Sequence, residues 1–144
     1  MSVKQISVFL ENKPGTLMSM TDTLAAHNID MRALSLAETS DFGIVRIIVD
    51  DVSVASTVLQ QAGFISSISD VLGVRIPDEP GGLHKILQIL SQTQANIEYM
   101  YAFLGGKDAE HAYMIFRVTD PAAAAAALAA QGIKTVEHEE MAQL

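Results

Sequence analysis

The chain has 144 residues, with 9 Lys and Arg against 17 Asp and Glu, a formal net charge of −8 and no cysteine. The lack of cysteine excludes disulfides, thiolate metal sites and a cysteine nucleophile. The acidic balance argues against binding to the phosphate backbone of nucleic acids, which requires clustered Lys and Arg. The length allows one ordinary domain or two very small ones.

The first residues do not resemble a signal peptide, because no basic run precedes a long apolar stretch. The alanine-rich run over 122–130 is much shorter than the ~20 apolar residues that a membrane span needs. We therefore expect a cytoplasmic protein that does not cross a membrane.

The first half of the chain predicts the element order strand, helix, strand, strand, helix, strand. Pro14-Gly15 ends an alternating apolar strand and opens a helix, because proline's fixed φ suits the first helical turn. Asp51 is placed to cap the second helix, and Gly63 to end it. The strands are predicted at about 6–10, 30–37, 44–49 and 64–68.

The second half repeats this order. At an offset of 66 the identities include Pro14/Pro80, Gly15/Gly81 and Leu17/Leu83. The offset grows to 70 where Val49-Asp50 meets Thr119-Asp120, and it is 69 at Gly63/Gly132. The repeated strands are predicted at about 72–76, 96–103, 113–118 and 135–138, with a longer loop over 105–108 and with helices opened by Pro80-Gly81 and Asp120-Pro121.

Two βαββαβ units over 1–69 and 70–144 follow from this repeat. The predicted fold class is α+β, with two ferredoxin-like sandwiches, each an antiparallel sheet covered by helices on one face. A unit this small buries only about 60% of its unfolded surface and is marginal alone. Because residues 66–71 contain no Pro or Gly linker, we expect the halves to pack together and share a sheet edge.

The Pro-Gly turns are candidate binding sites, because the first amides of a helix have no intrahelical partner and attract a carboxylate. A ligand ammonium group would need acceptors near the turn and at the start of the next strand. We favour the second turn, whose two glycines expose more backbone. The alternative is a simple turn with caps. The amide donors are Gly15, Thr16 and Leu17, or Gly81, Gly82 and Leu83, and the acceptors are Asn12 and Asp30, or Asp78 and Asn96.

The chain resembles paired ACT domains, which are small regulatory modules that bind amino acids and similar effectors. The segments that carry the resemblance are 11–17 with 28–31 and 77–83 with 95–98, which read ENKPGTL, NIDM, PDEPGGL and ANIE. The resemblance implies an effector site between paired domains near the turns, with no catalytic residue, cofactor or metal. Together with the two turns it places the ligand-binding residues at Asn12, Pro14, Gly15, Thr16, Leu17, Asp30, Met31, Asp78, Pro80, Gly81, Gly82, Leu83, Asn96, Ile97 and Tyr99.

Other patterns in the sequence give weaker indications of function. Tyr99 and Tyr101 share a strand face and either line an effector pocket or pack in a sheet or interface. The histidines His27, His84, His111 and His138 lack metal-ligand spacing and are predicted at the surface. An RNA-binding domain would need basic and aromatic sheet residues that the sequence does not supply. No motif supports a small hydrolase.

Two functions follow. The first is a non-enzymatic sensor that binds an amino acid across an interface between ACT units, in a homodimer. The second is an interaction or oligomerisation module that regulates a separate metabolic enzyme without binding a ligand itself.

Overall fold

The computed structural model describes residues 2–103 and 110–144. It contains β1 (Val3–Glu11), α1 (Thr16–Ala26), β2 (Met31–Glu38), β3 (Phe42–Val49), α2 (Val52–Gln61), β4 (Ile65–Pro77), α3 (Gly82–Ser91), β5 (Ile97–Ala102), β6 (His111–Val118), α4 (Pro121–Ala130), β7 (Thr135–Val136) and α5 (His138–Gln143). The predicted βαββαβ order is confirmed in both units. The predicted loop over 105–108 lies outside the described residues.

Strand β4 joins the two units without a linker. Its first part pairs with β1, from Phe9 opposite Ile65 to Val3 opposite Val71, and its second part pairs with β6 and β7. One sheet therefore runs in the order β2-β3-β1-β4-β6-β5. The predicted boundary between 69 and 70 falls inside this continuous strand, and the division into 1–69 and 70–144 remains a prediction.

Each unit has its own apolar core between one sheet face and two helices. In the first unit, residues such as Ile6, Val45 and Ile47 pack against Met20 and Leu24 of α1. In the second unit, Leu72 and Phe116 pack with Ile86 and Leu128 of the helices. The alternation along each strand sends every second side chain to this core.

The opposite sheet faces of the two units form a third core. Val3, Ala33 and Ile48 of the first unit are buried together with Tyr101 and Ile115 of the second. The outer strands also approach each other, since Ala33 and Phe103 form an isolated bridge. The expected packing of the halves is therefore confirmed, but it occurs through sheet faces as well as through a shared strand.

Strand pairing corrects the repeat offset at the third strand. Ile6 pairs with Ile47, and Leu72 pairs with Phe116, so the offset there is 69 rather than 70. This makes Asp50 equivalent to Thr119 in the repeat and aligns the two predicted N-caps, Asp51 and Asp120. Their carboxylates accept hydrogen bonds from Val54 N at 3.1 Å and from Ala123 N at 3.1 Å.

The last predicted strand and the predicted surface positions of two histidines need correction. The strand expected over 135–138 ends at Val136, and helix α5 begins at His138. Met141 of α5 is buried in the core between the sheets, and this contact holds the helix in place. His138 and His111 are only half-buried, whereas His27 and His84 are exposed.

The cap at Asp120 gives a first test. We expect Asp120→Ala to lower the free energy of unfolding by about 1 kcal/mol, because the amide of Ala123 loses its acceptor. Asp120→Asn should keep most of the stability, since an amide oxygen also caps. Urea unfolding of the three proteins measures this, and equal losses in both variants would contradict the capping role.

Candidate functional site

The first Pro-Gly turn presents an uncapped helix end. Gly15 has φ 89°, a left-handed conformation that only glycine adopts at little cost. It precedes α1, and no side chain caps this end of the helix. The hydroxyl of Thr16 donates to Glu11 O at 2.8 Å and Lys13 O at 3.0 Å. Pro14 is exposed, and Leu17 packs against the core of the first unit. Thr16 N donates to Lys13 O at 3.5 Å and Ser19 N to Gly15 O at 3.0 Å, so among the described residues the amides of Leu17 and Met18 are left for another acceptor.

The second turn has the same backbone but a tighter packing. Gly81 has φ 85°, yet Gly82 is buried, and a Cβ atom there would lie 2.3 Å from Pro77 O. Gly82 is therefore required for close approach of α3 to the end of β4, and its backbone is not open to a ligand. This removes the physical argument for preferring the second turn. Pro80 is exposed, and Leu83 packs against the core of its unit.

The two proposed acceptors of each unit lie at opposite ends of the sheet. Asn12 N donates to Asp41 O just before β3, whereas Asp30 N donates to the Asp50 carboxylate just after it. Eight residues of strand separate these ends by about 25 Å. Asn12 also uses its side-chain amide to bind Thr39 O at 3.2 Å, and Asp30 pairs with Arg32 at 2.8 Å.

The second unit repeats this separation. Asp78 N donates to Glu110 O just before β6, and Asn96 N donates to Thr119 Oγ1 just after it. The structure therefore does not bring Asn12 to Asp30, or Asp78 to Asn96, around one ligand within a unit. The backbone amides of Asp30 and Asn96 are bound by the side chains of Asp50 and Thr119, whereas the Asp30 carboxylate pairs with Arg32 rather than with a backbone amide.

A cavity of about 370 Å³ lies beside the first turn. Strand β1 extends past its last pair with β4, Phe9 opposite Ile65, and the notch that this leaves opens onto the start of α1. The exposed pair Glu11 and Lys13, 3.0 Å apart, contributes to the wall. The lining consists of Phe9, Leu10, Glu11, Lys13, Thr16, Ser19, Phe42, Gly63, Phe64 and Ile65.

Two further predicted residues, Met31 and Ile97, are half-buried and pack against the helix-covered cores of their units. Met31 also lines a shallow cavity of about 340 Å³ beside α1. Neither residue lies in the cavity at the first turn.

Tyr99 lies in a polar seam between the two sheets. Its hydroxyl accepts from Gln5 Nε2 at 2.7 Å, and the Tyr101 hydroxyl donates to Gln5 Oε1 at 2.7 Å. Gln5 is 0% exposed, so these bonds satisfy an amide that would be costly to bury alone. The Arg46 guanidinium stacks on the Tyr99 ring at 3.8 Å from its centroid.

The seam contains residues that the sequence did not single out: Gln5, Ser7 and Arg46. The available signal was the polar side chains at alternate positions of β1, on the face opposite Ile6 and Val8. Alternation alone indicated a solvent-facing side, and only the packing of the second unit shows that this side is largely buried.

The fold agrees with the comparisons to known proteins. The chain belongs to the ACT domain pair family, whose model matches residues 1–144. It is similar to the crystal structure of protein BT0572 from Bacteroides thetaiotaomicron, at 37% identity and a TM-score of 0.93, over 100% of this chain and 98% of that one. No curated protein matches the chain.

More distant structures share the fold. The ligand-free regulatory subunit of aspartate kinase from Thermus thermophilus has 20% identity and a TM-score of 0.67, and that from Thermus flavus has 19% and 0.63. Each alignment covers 90% of both chains. The chain is thus an ACT pair whose structural neighbours include regulatory subunits.

Within residues 2–103 and 110–144, no helix is long and apolar enough to span a membrane. The same residues contain no group of three or more His, Asp or Glu side chains arranged to hold a metal ion.

The close approach at Gly82 gives a second test. We expect Gly82→Ala to lower the free energy of unfolding by about 1–3 kcal/mol, because the backbone carbonyl of Pro77 cannot move aside as a flexible side chain can. His84→Ala, at an exposed site on the same helix, is the control. Equal unfolding midpoints for the two variants in urea would contradict the close contact.

The buried Tyr101 gives a pH prediction. Burial, followed by the neighbouring Tyr99, raises the pKa of Tyr101 well above its ordinary 10.0. A raised pKa contributes stability that is complete below pH 10.0 and is lost as the pH rises beyond it. Tyr101→Phe should be less stable at pH 8 by about 1–3 kcal/mol, because Gln5 loses a donor.

The free energy of unfolding of Tyr101→Phe should fall less than that of the wild type between about pH 9 and pH 11. Urea unfolding across this range measures both curves. Parallel curves would show that Tyr101 does not titrate with unfolding.

Proposed function

We propose that this ACT pair is a non-enzymatic regulatory protein that binds an amino acid in the cavity at its first Pro-Gly turn. The observation that carries the proposal is the 370 Å³ notch at the uncapped start of α1. A notch of this size suits a small ligand, and pockets of about 300 Å³ and above are typical of such sites.

Groups in and beside the cavity suit both charges of an amino acid. The amides of Leu17 and Met18, next to the lining residue Thr16, suit the ligand carboxylate, because hydrogen bonding and the helix dipole act together at the start of α1. The Glu11 carboxylate suits the ammonium group, which would displace Lys13. That displacement is cheap, since an exposed ion pair contributes at most about 1 kcal/mol.

A second copy of the chain would complete the interface between ACT units at this cavity. All ten lining residues belong to the first unit, so the second unit of the same chain does not close it. Three of them, Phe9, Phe42 and Ile65, are 44%, 60% and 72% exposed, and a homodimer would bury them.

The alternative function is an interaction module that docks on a separate metabolic enzyme and binds no ligand. The same three exposed apolar residues favour it, because contiguous apolar surface marks protein contacts. A measurement of amino-acid binding distinguishes the two proposed functions.

A thermal-shift screen against the common amino acids tests the proposal. A ligand that binds only the folded chain raises the melting temperature, and the shift grows with the ratio of the ligand concentration to its Kd. We expect one or a few amino acids to raise it, and Ser19→Phe to abolish that shift by filling the cavity from α1.

The repeat provides a matched control. Lys85 occupies the position in α3 that Ser19 occupies in α1 and is also exposed, so Lys85→Phe should retain the shift. Sedimentation of the wild type should show a dimer. A monomer without any amino-acid shift at millimolar concentration would overturn the proposal, whereas a dimer without a shift would favour the interaction module.

A further inference from the structure

A row of hydrogen-bond donors crosses the first unit's sheet on the face turned toward the second unit. Strand pairing places Ser35 opposite Arg46, Arg46 opposite Ser7, and Ser7 opposite Ser67. Residues paired directly across strands point to the same face. This donor row therefore presents one guanidinium and three hydroxyls side by side.

Arg46 is half-buried and has no acidic partner within residues 2–103 and 110–144. Among the described residues it makes no ion pair or hydrogen bond, and its contact is the stacking on Tyr99 at 3.8 Å. In a chain with 17 acidic and 9 basic residues, a partly desolvated guanidinium without a carboxylate is unusual, because burying a charge is costly unless it is paired.

Tyr99 holds the guanidinium in place. Gln5 fixes the Tyr99 hydroxyl at 2.7 Å, and Tyr101 fixes Gln5 from the other side. The stacked Arg46 keeps its planar edge available, and this edge carries the donors that bind a carboxylate in bidentate fashion. The site is thus preorganised by side chains from both units.

None of the three hydroxyls donates a hydrogen bond among the described residues; Ser7 is buried, Ser35 is half-buried and Ser67 is exposed. The Ser7 hydroxyl accepts from Gln5 Nε2 at 3.3 Å, which leaves its own proton free. Ser35 and Ser67 make no side-chain hydrogen bond within the part of the chain that is described. A serine hydroxyl can donate one hydrogen bond and can also accept, so the row offers a guanidinium and hydroxyl protons to an incoming carboxylate.

The surroundings define the class of ligand. The next row toward the first turn is apolar and contains Phe9, Ile44 and Ile65. The first carboxylate on this face in these strands is Glu11, two rows away. From the second unit, Arg117 lies opposite Tyr99 and donates to Asp70 O at 3.0 Å. Among the described residues, no carboxylate adjoins Arg46 on this face to hold an ammonium group.

We propose that Arg46, with Ser7, Ser35 and Ser67, binds the carboxylate of a small apolar acid that lacks an ammonium group, with its apolar part against Phe9 and Ile65. The site holds the carboxylate with Arg46 and the serines rather than with α1, but it shares Phe9 and Ile65 with the lining of the first-turn cavity. Its recognition of the carboxylate does not depend on the proposed amino-acid binding. Since Tyr99 belongs to the second unit, occupancy would tighten the contact between the sheets.

Tyrosine emission of the full chain provides the readout, because the sequence contains no tryptophan and the site adjoins Tyr99. The probe is 4-methylpentanoate, with 4-methylpentanamide and leucine as comparison compounds. We expect saturable changes with the carboxylate and at least about tenfold weaker binding of the neutral amide. Leucine should also bind this site more weakly, because its ammonium group meets Arg46.

Two sets of variants locate the site. Arg46→Gln should weaken binding of 4-methylpentanoate by about tenfold or more, and Arg46→Lys should retain part of it. The pair Ser35→Ala and Ser67→Ala keeps the stacking on Tyr99 and should weaken binding several-fold, so the proposal stays testable if Arg46→Gln unfolds the chain.

No saturable signal for the wild type at millimolar probe, or equal binding of acid and amide, would overturn the proposal. Unchanged affinity in both the Arg46→Lys and the double serine variants would do so as well. Ser19→Phe separates this site from the first-turn cavity: it should remove the amino-acid shift in melting temperature and leave binding of 4-methylpentanoate intact.

Discussion

The continuous strand β4 is the constraint on which the other features depend. Its first part pairs with β1 and its second part with β6. Because the same strand belongs to both units, no flexible linker lets them rotate independently. The sheet instead coils until the faces opposite the helices meet, and Val3 and Ile48 are buried against Tyr101 and Ile115. Two units that are marginal alone thereby share a third core, and each unit stabilises the other by burying its apolar sheet face.

The duplicated halves keep the same backbone devices and differ in their side chains. Both second helices are capped by an aspartate, and both first helices follow a left-handed glycine. At the turns, however, Thr16 binds Glu11 O through its hydroxyl, whereas Gly82 packs directly on Pro77 O. The same backbone therefore leaves an open notch at the first turn and a close-packed junction at the second. The two units are therefore not equivalent at their Pro-Gly turns.

The seam between the sheets combines apolar burial with a small polar network. Gln5 is fully buried, yet its bonds to Tyr99 and Tyr101 compensate for its desolvation. Arg46 lies at the edge of this network, where the covered part of the sheet face gives way to exposed Phe9 and Ile65. A change in how closely the sheets pack would move Arg46 and Tyr99 together, which makes this edge sensitive to the contact between units.

The sequence by itself determined the local features: the element order, the aspartate caps and the glycine turns, because periodicity and capping depend on neighbours a few residues apart. It did not show that Asn12 and Asp30 lie at opposite ends of the sheet. They do so because α1 returns the chain from the end of β1 to the other end of the sheet, where β2 begins. It also missed Gln5 and Arg46, whose partners Tyr101 and Tyr99 lie more than fifty residues away along the chain. Only the tertiary structure decided which polar strand face is buried, because that depends on the coiling of β4 rather than on local pattern.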